Sequence, residues 1–136
     1  MNETQAKGTA VLVVEDNREM LQEICEGLRT RGYRVEGVTS GHEALARLRR
    51  AEFTAVVADI DLVRTYNLDL IREVQRVEGF RPWVLYTGTP DPMAPRWCRQ
   101  AGVFCVVVRG APKKDLLRSV EAVCRSVSWM GRLRCA

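Results

Sequence analysis

The chain has 136 residues, of which 46% are hydrophobic and 28% charged, and its formal net charge is +4. That is the size and balance of one soluble domain that builds a single core without disulfide or metal staples. No stretch approaches the roughly 20 apolar residues that span a bilayer, and the apolar run after Lys7 meets Glu15 and Asp16 too soon for a signal peptide, so a cytoplasmic protein without a membrane partner is expected.

Residues 1–8 are polar and expected to fray. Ala10 to Val14 is a short, continuous, Val-rich run, the pattern of a buried strand. Met20, Leu21, Ile24, Cys25 and Leu28 recur at three- and four-residue spacing, so residues 18–30 read as an amphipathic helix, closed by Gly32. Tyr33 to Val38 reads as a second strand. Ser40 caps a helix over about 41–50, with Ala44, Leu45 and Leu48 inward. Phe53 to Ala58 is a third strand, and Asn67 to Val77, with Leu68, Leu70, Ile71 and Val74 on one side, a third helix ended by Gly79. Pro82 to Tyr86 is a fourth strand. Pro92 to Ala101 is a short helix with Pro92 and Pro95 in its first turn. Phe104 to Val108 is a fifth strand. Pro112 opens a last helix with Leu116, Leu117, Val120, Val123, Cys124 and Val127 facing in. The domain is thus placed at 9–127, with 128–136 a tail or an extension of the last helix.

The cysteines (Cys25, Cys98, Cys105, Cys124, Cys135) form no CxxC pair, and His42 is the one histidine, which argues against zinc. An odd count without a leader fits reduced thiols, the first four as core residues. Basic residues are scattered among acids, as on solvated helix faces, and no groove-reading motif argues for nucleic acid.

Apolar strands alternating with helices imply an α/β fold: a parallel sheet covered on both faces, with right-handed crossovers. Ligands of such sheets lie beyond the carboxyl ends of the strands, where strand order reverses. Those ends read Glu15-Asp16-Asn17, Asp59-Ile60-Asp61, Thr87-Gly88-Thr89 and Arg109-Gly110. Singly, Asp16 is also a helix cap, Thr87-Gly88 ordinary turn chemistry and Arg109 a solvated charge. Together, carboxylates from two strands repel unless a cation sits between them. Mg²⁺ with oxygen ligands resolves that conflict. A metal beside a carboxylate, a hydroxyl and a guanidinium suits a phosphoryl group, with aspartate as nucleophile.

In that order and spacing, VLVVEDN, FTAVVADIDL, VLYTG and AGVFCVVVRGAPKKDLL resemble the receiver domain of bacterial two-component response regulators over about residues 9–127. The resemblance implies a doubly wound five-stranded sheet of order 2-1-3-4-5. It implies that Asp59 accepts phosphate from a histidine kinase or histidine phosphotransfer protein. Asp16 and Asp59 would bind Mg²⁺ directly, Glu15 partly through water, and the backbone carbonyl of Asp61 would be another ligand. Thr87 would hydrogen-bond a phosphoryl oxygen, and Arg109 would stand where the family has a phosphate-pairing lysine. Such a domain is a signalling acceptor and not an enzyme beyond slow autodephosphorylation.

Four departures stand out. Arg109 replaces the lysine, and a planar guanidinium binds differently from an ammonium. Gly110 stands where proline follows it. Val106 stands where the family has Tyr or Phe, an aromatic that normally turns inward when the hydroxyl residue moves. The loop LVRTYN has Val63 for proline and Asn67 for glycine, although Asn tolerates positive φ. The acceptor chemistry reads as kept and its readout as altered.

Two other readings compete: a phosphorylation-independent receiver that acts as an interaction module, and, on Asp59-Ile60-Asp61 alone, a haloacid dehalogenase-like phosphatase. The last is disfavoured because two strand–helix units precede Asp59. With only about ten residues after the last helix pattern, a stand-alone receiver is expected. Its downstream partner would meet the last two helices and the fifth strand, or the chain would form a homodimer.

Overall fold

In the computed structural model the described residues are 9–59, 82–87, 105–109 and 113–135, with side chains described for 9–59, 82–86 and 114–126. The expected helices at 67–77 and 92–101, and Asp61, Val63, Asn67 and Gly110, lie outside them. The elements are β1 (Ala10–Val14), α1 (Arg18–Thr30), β2 (Arg34–Val38), α2 (Gly41–Arg50), β3 (Ala55–Asp59), β4 (Trp83–Thr87), β5 (Cys105–Arg109) and α3 (Lys113–Cys135).

The strands form one sheet in the order β2-β1-β3-β4-β5, every pairing parallel, as the resemblance implied. β1 is buried at every residue and β3 at all but Asp59, because both lie inside the sheet with both faces covered. β2 is an edge strand and only partly covered: Val35 and Val38 are buried, Arg34 and Gly37 exposed. On one face Val11, Val13, Val57 and Val84 meet Ile24 and Leu28 of α1 and Leu117 and Val120 of α3. On the other, α2 packs against β1 and β2 through Ala44 and Leu48.

Local sequence sets the helix ends. The Asn17 side chain caps α1 by accepting the Met20 N–H at 3.0 Å. At the far end Gly32 takes φ 94°, and the Gly32 and Tyr33 N–H groups donate to the Arg29 and Leu28 carbonyls at 2.9 and 3.2 Å. That double bond is the Schellman closure, which needs a residue tolerant of positive φ. Ser40 caps α2, accepting the Glu43 N–H, while Glu43 accepts from the Thr39 hydroxyl at 3.0 Å. Gly27 lies where α1 meets Leu117 of α3: a Cβ there would stand 2.7 Å from Leu117 Cδ1. Arg31 and Glu121 tie the same two helices at 2.6 Å. Cys25 and Cys124 are buried free thiols in this core, and burial pushes the Cys124 thiol up to about 12. α3 continues as helix to Cys135.

Candidate functional site

Strand order reverses between β1 and β3: the chain first steps outward to β2, then returns to the other side of β1. In an open parallel sheet that crevice is where ligands bind. Glu15 and Asp16 follow β1 there, and Asp59 is the last residue of β3. Val14 pairs with Ala58, so Glu15 and Asp59 are the next residues along neighbouring strands. Asp59 pairs in turn with Tyr86 of β4, and Thr87 with Arg109 of β5.

These residues differ in environment. Asp16 is exposed, and Asn17, not Asp16, supplies the cap of α1. Asp59 is half-buried. Glu15 is only 4% exposed. Its Oε1 accepts a hydrogen bond from the Tyr86 hydroxyl at 3.1 Å, and its Oε2 a long one from the Asn17 N–H at 3.4 Å. Burial holds the Glu15 carboxyl above the ordinary range, first and most strongly; Asp16 and the charge of Asp59 push the same way. The Tyr86 and Asn17 donors oppose them by favouring the carboxylate. Tyr86 is itself driven well above a free phenol by burial and then by Glu15, so it remains a donor.

A buried carboxyl crowded by two others is what a hard cation relieves. The donors are all oxygen, which suits Mg²⁺ and not a thiophilic metal. No group of three His, Cys, Asp or Glu side chains placed to hold a metal ion occurs among the described residues. Mg²⁺ does not need one: it keeps several waters and takes one or two carboxylates. The residues present therefore fit it.

Of the residues singled out in the sequence, the fold brings Glu15, Asp16 and Asp59 together at one end of the sheet. The backbones of Thr87 and Arg109 lie side by side at the same end, on the next two strands, β4 and β5. Asp61 lies outside the described residues. Tyr86 is the residue that sequence reasoning passed over, as the last apolar position of a strand. The available signal was its type: a buried tyrosine needs a partner for its hydroxyl.

The model of the response regulator receiver domain family matches residues 11–121. This chain belongs to that family. It is 27% identical over 118 residues to the transcriptional regulatory protein GlrR of Escherichia coli, and 37% identical over 86 residues to the response regulator protein PmrA of Pseudomonas aeruginosa. The matches cover 85% and 63% of this chain, but the chain spans only 26% and 38% of those relatives' lengths. Among solved structures, a CheY-like receiver domain protein of Methanospirillum hungatei has a TM-score of 0.78 at 20% identity, covering 90% of this chain and 98% of that one. Chemotaxis protein CheY4 of Vibrio cholerae gives 0.74 at 24% identity, covering 85% and 98%. At these identities the structures speak for the fold, and the family match for a signalling domain of two-component systems. No helix among the described residues is long and apolar enough to cross a membrane.

Proposed function

We propose that this receiver domain accepts a phosphoryl group on Asp59, with Mg²⁺, from a histidine kinase or histidine phosphotransfer protein. The observation that carries this reading is the buried Glu15 carboxyl, which meets Asp16 and Asp59 at the switch point of the sheet. Asp16 and Asp59 would hold the ion, with the backbone carbonyl of Asp61, and Glu15 would meet it through water. An Asp59 carboxylate oxygen attacks phosphorus, and the bond from phosphorus to the donor breaks. When bound, Mg²⁺ would supply positive charge to the phosphoryl oxygens. Thr87 donates to one phosphoryl oxygen, and Arg109 supplies positive charge from β5 in place of a lysine ammonium. A downstream protein, or a second copy, would read the result on the face made by the last two helices and the fifth strand.

Acetyl phosphate with Mg²⁺ tests this. The wild type is expected to gain the mass of one phosphoryl group in intact-mass measurement, and Asp59→Asn to gain none. An unlabelled wild type overturns the reading.

Val106 and Arg109-Gly110 favour a second reading, an interaction module that works without phosphate. Under that reading beryllofluoride, a phosphoryl mimic, leaves Mg²⁺ binding unchanged; under the first it tightens it.

A further inference from the structure

Tyr86 and Glu15 are joined across an intervening strand. β4 and β1 both flank β3, so their backbones stand about 10 Å apart, twice the usual strand spacing. The tyrosine nonetheless reaches Glu15 Oε1 at 3.1 Å, in a buried bond. Tyr86 is 7% exposed and shares the core cluster with Val57 and Val84, where a phenylalanine ring would pack equally well. The hydroxyl is what distinguishes it, and its partner is a carboxylate of the candidate site. Hydrogen bonds to an ionised acceptor are stronger and more directional than neutral ones. The Asn17 N–H approaches the other oxygen, so Glu15 is held from β4 on one side and from the start of α1 on the other.

We infer that Tyr86 is a positioning residue for the metal site: its hydroxyl fixes the Glu15 carboxylate beside Asp59, where Glu15 receives a metal-bound water. The inference rests on the proposed Mg²⁺ role of this pocket and adds a residue to it. Groups that orient metal-site carboxylates govern metal affinity although they never touch the ion. The geometry also makes the ring a strut between the first and fourth strands, ending one residue before Thr87.

The test is a double-mutant cycle on Mg²⁺ affinity, measured by isothermal titration calorimetry with MgCl₂ on wild type, Tyr86→Phe, Glu15→Ala and the double variant. Tyr86→Phe keeps the ring, and circular dichroism checks each fold. Tyr86→Phe is expected to weaken Mg²⁺ binding about tenfold, the lower end of the loss when an outer-shell partner is removed. Once Glu15 is alanine, the same change is expected to have no further effect, because the hydroxyl has nothing left to position. Tyr86→Phe binding like wild type, or an equal loss in both backgrounds, overturns the inference while leaving the metal site standing. Failure of the wild type to bind Mg²⁺ overturns both.

Discussion

The contact between Gly27 and Leu117 yields a prediction with a change of sign. In an exposed helix interior, Gly→Ala gains about 1 kcal/mol from backbone entropy. At Gly27 the new methyl would stand 2.7 Å from Leu117 Cδ1 and 3.3 Å from Cδ2, well inside the optimal carbon–carbon separation of about 3.5–4.0 Å. Leu117 is 4% exposed and sits in the core cluster, so it moves only against its neighbours. Overpacking of this kind costs roughly 1–3 kcal/mol; at about 2 it outweighs the propensity gain, leaving Gly27→Ala destabilising by about 1 kcal/mol. Leu117→Ala alone opens a cavity and costs about 3 kcal/mol. In that background the clash is gone, and Gly27→Ala becomes stabilising by about 1 kcal/mol. The pair therefore couples by about 2 kcal/mol. Urea unfolding of the four proteins, followed by far-ultraviolet circular dichroism, measures the cycle, with constant m-values as the check on two-state behaviour. A Gly27→Ala effect of the same sign and size in both backgrounds refutes the argument that Leu117 fills the space a side chain would need.

Two further outcomes are expected. Glu15→Gln stabilises the metal-free fold, and its advantage over the wild type grows with pH. Burial and the neighbouring acids raise the folded-state pKa of Glu15 above its ordinary 4.5. Stability associated with the protonated wild-type group is therefore full below that value and is lost as pH rises through the folded value. Thermal melts in chelator across the acidic to neutral range measure it, and a gap independent of pH would count against the crowded-carboxyl account. Glu121→Ala, which removes the bonds to Arg31 at 2.6 Å and Arg125 at 3.3 Å, lowers stability by about 1 kcal/mol at low salt and by less near 1 M. An equal loss at both salt concentrations would show that packing, and not charge, carries the contribution.

The described part of the fold was largely legible because burial and hydrogen bonding coincide in its centre. β1 matches the apolar run Ala10 to Val14, since the strand is covered on both faces and polar residues stand at each end. Pattern and structure differ where the two part company. The apolar run places Phe53 in the third strand; Phe53 is buried at 4% exposure yet precedes Ala55, where the strand begins. At the other end β3, β4 and β5 each run one residue past their apolar stretch, to Asp59, Thr87 and Arg109. Hydrophobic pattern reports what is covered and is blind to a polar residue still in the ladder. The candidate site was legible as acids at strand ends. The bond between Tyr86 and Glu15 was not, because it depends on a register linking three strands, which no local pattern encodes. The choice of Asn17 over Asp16 as cap was not legible either, because both residue types cap helices equally well.

The pairing of Glu15, Asp59 and Tyr86 through neighbouring parallel strands has a consequence for biogenesis. Each stands on a separate strand, far from the others in the chain, and parallel strands meet only after long crossovers have closed. An unfolded chain carries every one of these groups but cannot present them together. Any chemistry that requires all three must wait until β1, β3 and β4 have paired.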